Sequence, residues 1–171
     1  MEKKYCGVIS APIMSFPWGY DEEAEQCGRM KLLMMREISF LISQGIAGFY
    51  VPLDSGVCLY AAEIVNGLRE TNTALDLICV IPHEEQATKW TPELRERYFN
   101  TMARCTSTLL ISTYRSPGCE LEAMLEAVDR SAVVLAIKSE VNEINSALET
   151  TIHYAKRIGR EIKTIHSAQT K

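Results

Sequence analysis

The sequence lacks the short motifs by which many α/β proteins hold phosphate groups or activate a serine. Residues 10–12, which follow the first apolar run, read Ser-Ala-Pro where a dinucleotide-binding fold carries Gly-x-Gly-x-x-Gly. No Gly-Lys-Ser/Thr sequence occurs, which excludes a Walker loop. No Gly-x-Ser-x-Gly sequence occurs, which excludes a nucleophile elbow. Function through any of these standard loops is therefore excluded.

Metal-binding and disulfide patterns are also missing. The 6 cysteines are scattered without a Cys-x-x-Cys pair, which excludes a zinc ribbon and a thioredoxin-like motif. Residues 83–87 resemble the start of a zincin motif, but the second histidine is absent and the 3 histidines lie far apart in sequence. We therefore predict neither a metal site nor a cofactor. Cys58 and Cys119 lie near predicted helix starts, where a thiol is either reactive or simply buried.

Neither charge nor hydropathy indicates a nucleic-acid or membrane partner. The chain has 18 Lys and Arg against 22 Asp and Glu, a net charge of −4, so it lacks the overall basic character of a nucleic-acid binder. No apolar run approaches the roughly 20 residues of a membrane-spanning helix. The first residues, Met-Glu-Lys-Lys, lead into a short strand-like segment and not into an apolar secretory core. These features predict a cytoplasmic protein.

Short apolar runs alternate with longer segments of helical periodicity along the whole chain. This alternation predicts a single α/β domain over residues 1–171, with a Rossmann-like three-layer fold and a loose tail at 166–171. We expect a mostly parallel sheet of about six strands with helices on both faces. The predicted strands are 5–9, 48–51, 77–81, 108–112, 132–137 and 161–165. The predicted helices are 21–44, 55–69, one that begins at Thr91-Pro92, 120–129 and one that runs from about Ile144 to Ile158.

In such folds ligands bind at the carboxyl ends of the strands, so the candidate ligand-binding residues lie in the segments that follow them. For two pairs of these candidates, a purely structural role is the alternative. The Ser55-Gly56 pair is either an anion-binding helix start or a plain helix cap, and the two tryptophans either stack on a base or fill the pocket mouth. The candidates are Ser10, Trp18, Asp54, Ser55, Gly56, Gln86, Trp90, Tyr114, Arg115 and Ser146.

An ordered series of short motifs resembles the YpsA-like family of the SLOG superfamily. The series covers about residues 6–165. Relatives of that family include cytokinin phosphoribohydrolases ("lonely guy" proteins) and the DNA-processing protein DprA, so the resemblance implies a pocket for a nucleotide or a nucleotide-derived ligand. The matching motifs are Phe-Pro-Trp-Gly-Tyr-Asp-Glu-Glu at 16–23, Ala-Ala-Glu at 61–63, Ile-Pro at 81–82 with Gln86 and Trp90, Tyr98, Val-Asp-Arg-Ser at 128–131 and Thr-Ile-His-Tyr-Ala at 151–155.

The sequence departs from that family where the ligand should bind. Residues 10–13 read Ser-Ala-Pro-Ile in place of Gly-His-Arg-Pro, and Gly56 alone remains of the two glycines in the loop at 51–58. An Arg-Asn pair is replaced at 123–124, and a Gly-Gly-Thr is replaced at 146–148. These changes remove groups that hold phosphate. The resemblance therefore implies a non-catalytic or weakly catalytic domain that binds a nucleotide-derived or other small ligand, or a protein partner, in a regulatory role.

Two other functions stay open as alternatives. One is a nucleotide-processing enzyme of the phosphoribohydrolase type, for which Glu63 is the candidate catalytic carboxylate that matches the family. The other is a DNA-processing protein like DprA, against which the net charge of −4 weighs.

The first predicted helix has apolar residues on more than one side. Met30 and Met34 lie on the stripe that a sheet can cover, whereas Leu32, Met35 and Phe40 point elsewhere. Either neighbouring helices or a second copy of the chain covers this second side. We predict a homodimer with this helix or its neighbour at the interface.

Overall fold

The computed structural model describes residues 2–141 and 146–171. Within these ranges six strands and five α-helices alternate, and 3-10 turns occur at Ile13–Ser15 and Ser167–Thr170. The strands are β1 (Lys4–Ser10), β2 (Ile46–Pro52), β3 (Asp76–His83), β4 (Ser107–Ser112), β5 (Val133–Lys138) and β6 (Glu161–His166). The helices are α1 (Glu25–Ser43), α2 (Val57–Arg69), α3 (Pro92–Arg104), α4 (Cys119–Asp129) and α5 (Ala147–Arg157).

The six strands form one parallel sheet in the order β4-β3-β2-β1-β5-β6. Right-handed crossovers place α1, α2 and α3 on one face of this sheet and α4 and α5 on the other. The contacts agree, because α2 touches both α1 and α3, while α4 packs on α5 and across β1, β2 and β3. The predicted α/β class, with a parallel sheet of six strands and three layers, is confirmed.

Local sequence signals account for most helix boundaries. The Oγ1 of Thr91 accepts the Leu94 N–H at 3.4 Å, and Pro92 takes the first helical position, as predicted. Helix α1 begins at Glu25 and not at 21, because residues 21–24 form turns in which Asp21 accepts the Glu23 N–H. The predicted start of the last helix near 144 lies outside the described residues.

The C-terminal residues are not the loose tail predicted for 166–171. His166 Nδ1 accepts the Ala168 N–H at 3.0 Å and so caps the 3-10 turn that follows it. Ser167 and Thr170 are fully buried, and Arg29 of α1 donates to the Thr170 carbonyl at 2.9 Å. The turn packs on α1. The sequence gives no indication of this contact, because the residues of the turn are small and mostly polar.

The order of the strands reverses between β1 and β5, so the segments that follow these two strands run to opposite faces of the sheet. The segment after β1 leads to α1 on one face, and the segment after β5 leads to α5 on the other. Loops that diverge in this way leave a crevice at the carboxyl ends of the strands, which is where such folds bind ligands. Within the ranges that the structure describes, no helix has both the length and the apolar character needed to cross a bilayer.

Candidate functional site

A cavity of about 340 Å³ opens at this crevice, and we call it the switch-point cavity. It lies between the ends of β1, β2 and β3 and the first turns of α2, α4 and α5, and its volume is that of a small-molecule site. Five of the predicted ligand-binding residues line it, namely Ser10, Asp54, Ser55, Gln86 and Ser146.

The N-terminus of α2 is occupied by a carboxylate of the chain itself. Oδ1 of Asp54 accepts the Gly56 N–H at 2.8 Å and the Leu59 N–H at 3.3 Å. Free N–H groups at a helix N-terminus are what makes it an anion site, and here they already have an acceptor. The plain helix cap predicted at Ser55 is wrong, because the Ser55 hydroxyl is hydrogen-bonded to the hydroxyl of Tyr20 at 2.8 Å.

The retained loop glycine is covered by a side chain from the turn after β1. A Cβ added to Gly56 would lie 2.6 Å from the Cβ of Ile13 and within 2.9 Å of two further atoms of the same side chain. Gly56 therefore serves close packing against Ile13 at this position. The side chain of Ile13 covers Gly56, whereas a phosphate-binding glycine leaves its backbone open to the ligand.

The electrostatics of the cavity disfavour an anionic ligand. Asp54 and Glu120 line it, and among the described residues no Lys or Arg does so. Burial raises the pKa of the Asp54 carboxyl, although hydrogen bonds from the Gly56 and Leu59 N–H groups oppose the shift. Ser10 joins this group, with its Oγ 3.5 Å from Asp54 Oδ2 and 3.3 Å from Cys58 Sγ.

The two thiols that the sequence left open are both buried. Burial and the neighbouring Asp54 raise the pKa of Cys58 well above its ordinary value. Burial also raises the pKa of Cys119, whose Sγ donates to Glu120 Oε2 at 3.3 Å. Neither thiol is held as the exposed, low-pKa thiolate that nucleophilic chemistry needs.

The predicted aromatic ligands do not reach the cavity. Trp18 is 5% exposed and stacks on Phe16 with ring centroids 5.0 Å apart, whereas Trp90 packs edge-on against Tyr98 at 5.1 Å. Both rings pack against neighbouring aromatic side chains, which favours the alternative that they fill space. Tyr114 is 75% exposed and does not line the cavity.

The cations that the sequence places near the site are separate from the cavity. Arg115 lies in a shallow groove with Glu120, next to the cavity and not in it. Lys138 lines a neighbouring cavity of about 170 Å³, where its Nζ is 3.5 Å from the Glu149 carboxylate. Ser146 lines both cavities and caps α5, since its Oγ accepts the Glu149 N–H at 3.1 Å.

The candidate catalytic carboxylate, Glu63, is also outside the cavity. Its two oxygens accept hydrogen bonds from Arg97 at 2.7 and 3.1 Å, and Arg97 also binds Glu22. This cluster lies in an open groove between α1, α2 and α3. Glu63 therefore does not line the switch-point cavity, and its catalytic role, expected only if the chain is an enzyme, stays a prediction.

Eleven of the 16 lining residues were not predicted as ligand-binding residues. Two of these, Glu120 and Met124, come from α4. The available signal was positional, because Glu120 lies in the first turn of the helix that follows β4, at the ligand-binding edge of the sheet.

The family model YpsA, described as the YspA SLOG family, matches residues 18–170. The chain belongs to this family. This SLOG protein is also similar to UPF0398 protein BH1768 of Halalkalibacterium halodurans, with 30% identity over 73 residues. The matched segment covers 43% of this chain and 39% of the relative, so it spans well under half of that protein's length. The resemblance carried by the sequence motifs is thereby confirmed.

Proposed function

We propose that this SLOG-family chain is a non-catalytic regulatory domain whose switch-point cavity binds an uncharged or cationic small molecule of nucleoside size. The observation that carries the proposal is the position of Asp54. Its Oδ1 accepts the Gly56 and Leu59 N–H groups at 2.8 and 3.3 Å, in the place where a ligand phosphate would bind.

When Asp54 is ionised, a phosphate at this position faces a like charge in a partly enclosed space. Two unit charges 4 Å apart repel by about 4 kcal/mol at the effective dielectric of a protein site near the surface. This repulsion corresponds to a loss of about a thousandfold in affinity. No Lys or Arg of the described cavity lining offsets it.

The remaining lining suits a neutral molecule with hydrogen-bonding edges. Apolar contact is offered by Ile13, Leu53 and Met124, while the hydroxyl of Ser10 and the carboxylate of Asp54 offer acceptors. A small number of polar groups in a mostly apolar cleft is the usual composition of a small-molecule site. A nucleoside or a similar heterocycle combines a flat apolar body with such donor edges.

Calorimetry with four probes tests this proposal. We expect AMP, NAD and ADP-ribose to bind no better than about 1 mM, or near −4 kcal/mol, and adenosine to bind more tightly than AMP. Micromolar binding of any of the three phosphorylated probes would contradict the proposal. So would the absence of adenosine binding, if mass spectrometry also finds no small molecule that co-purifies with the protein.

A matched pair of variants separates the charge of Asp54 from other effects. Asp54→Asn keeps an acceptor for the α2 N–H groups and removes the negative charge. We therefore expect the affinity for AMP to rise at least about tenfold relative to the affinity for adenosine. Glu122→Gln removes an exposed carboxylate from α4 that does not line the cavity, and we expect it to leave this ratio unchanged. An unchanged ratio in Asp54→Asn would contradict the assigned role of Asp54.

One alternative has a direct test, and the net charge weighs against the other. Incubation with nucleoside monophosphates should release no ribose phosphate above the blank, and turnover that cavity variants abolish would establish the phosphoribohydrolase function. A DNA-processing role needs a basic binding surface, against which the net charge of −4 weighs.

We further propose that the protein forms a homodimer through the outer side of α1. Leu32, Met35 and Phe40 are 66%, 46% and 47% exposed; helical geometry places Leu32 opposite the stripe that packs on the sheet, with Met35 on one flank of Leu32 and Phe40 on the other. A stable dimer buries about 1,600 Å² in total. Light scattering should give twice the 19.2 kDa chain mass, and Met35→Glu should shift the mass toward that of a monomer. Phe99→Glu adds the same charge at an exposed position of α3 and serves as the control; a monomeric wild type would contradict the proposal.

A further inference from the structure

Three side chains with metal-binding chemistry meet at the rim of the switch-point cavity. An imidazole nitrogen of His83, the Sγ of Cys119 and a carboxylate oxygen of Glu120 all lie within 4.8 Å of one another. His83 ends β3, and Cys119 and Glu120 begin α4, so the cluster is held by two regular elements at the ligand-binding edge of the sheet.

One nitrogen of the His83 imidazole has no hydrogen-bond partner among the described residues. His83 is 8% exposed, and its Nδ1 is buried without a hydrogen-bond partner among residues 2–141 and 146–171. Buried polar atoms without a partner are rare in folded proteins, and an ion is one of the few groups that satisfy them. The described chain therefore leaves this imidazole with capacity to bind a ligand.

We infer that His83, Cys119 and Glu120 form a binding site for a divalent zinc ion. Imidazole nitrogen, thiolate sulfur and carboxylate oxygen are the three donor types that zinc takes in proteins. Magnesium and calcium take oxygen ligands, so the thiol and the imidazole favour a transition metal. Three protein ligands leave one position of a tetrahedral ion open to water or to a bound molecule, as in catalytic zinc sites.

The distances require only small side-chain movements. Atoms bound tetrahedrally to zinc at its usual bond lengths lie about 3.3–3.8 Å apart. The Sγ of Cys119 and the Oε2 of Glu120 are already 3.3 Å apart. Glu120 is exposed and forms no ion pair with a Lys, Arg or His of the described chain, so its carboxylate is free to turn toward an ion.

The backbone fixes the position of the thiol. Gly118, with φ of +82°, places Cys119 at the first position of α4, where the helix N-terminus opposes part of the rise in pKa that burial and Glu120 produce. When the sulfur–zinc bond forms, the thiol proton passes to solvent. The thiolate and the carboxylate then balance the two charges of the ion, so the occupied site is neutral overall.

Metal titration of the chelator-treated protein tests this inference. We expect one Zn²⁺ per chain by calorimetry. We expect Co²⁺ to produce a thiolate-to-cobalt charge-transfer absorption that Cys119→Ser abolishes. Cys119→Ser and His83→Gln should each weaken zinc binding by at least about 100-fold, since loss of an outer-shell partner alone costs about 10–100-fold. Two control variants should bind as the wild type does: Cys105→Ser, a thiol at the opposite edge of the sheet, and Glu122→Gln, an exposed carboxylate of α4.

Two results would overturn the inference. One is the lack of stoichiometric zinc binding by the wild type, and the other is unchanged affinity in both Cys119→Ser and His83→Gln. Because these two residues are buried, Glu120→Gln provides a test at an exposed position that does not threaten folding. A tenfold or greater loss in Glu120→Gln supports the site, and an unchanged affinity removes Glu120 from it and refutes the three-residue assignment.

Discussion

Substitution of Gly56 by alanine tests the close packing that shields the N-terminus of α2. The new Cβ would lie 2.6 Å from the Cβ of Ile13, closer than folded structures allow, and Ile13 is 8% exposed. The nearest atom is the branch point of that side chain and not its flexible end, so the backbone of the turn has to move. The φ of Gly56 is −139°, outside the left-handed region that favours glycine. We therefore expect Gly56→Ala to lower the free energy of unfolding by about 2 kcal/mol through overpacking.

A double-mutant cycle assigns this cost to Ile13. Ile13→Gly removes all three of the close atoms, so Gly56→Ala should cost less stability in that background than in the wild type. The four proteins are compared by urea unfolding at pH 7, followed by circular dichroism. Gly67→Ala is the matched control, because a Cβ at this exposed position of α2 has no neighbour within 4 Å; it should stabilise by about 0.5–1 kcal/mol. Equal costs of Gly56→Ala in both backgrounds would refute the packing argument.

Two further predictions concern charges and pH. Burial raises the pKa of Asp54 above its unfolded value of about 4, so the stability that its protonated form provides is lost as pH rises through the folded-state pKa. Urea unfolding of Asp54→Asn should therefore show a stability advantage over the wild type that grows with pH above about 4; a constant difference would contradict this. Partial burial raises the pKa of Glu22, but hydrogen bonds from Arg97 and Lys31 outweigh it and hold the pKa below its ordinary value. Arg97→Gln should lower the free energy of unfolding by about 1–2 kcal/mol at pH 7, and this loss should shrink as pH falls through the folded-state pKa of Glu22; a loss that is the same at pH 3 and pH 7 would show that the ion pairs are not its source.

Element type and order were predictable from the sequence because they depend on local periodicity. The buried residues of α1 recur at helical spacing, and the strands at the centre of the sheet are continuous apolar runs since both of their faces are covered. The start of α3 was also predictable, because Thr91 and Pro92 act within a single turn. Errors arose where a competing turn or a docking surface was involved, as at Asp21 and in the final turn that packs on α1.

The sequence by itself thus determined the α/β class, the strands and helices, the edge of the sheet where such folds bind ligands and the departures from the family's motifs. The tertiary structure alone decided which residues meet there. Ile13 covers Gly56 because the turn after β1 packs on the start of α2, and Glu63 pairs with Arg97, 34 residues away, in a groove outside the cavity. His83 and Cys119 belong to no common motif, and they meet because parallel pairing of β3 and β4 brings the start of α4 beside the end of β3. Such contacts depend on strand order and on crossover handedness, and local periodicity carries no information about which side chains those features bring together.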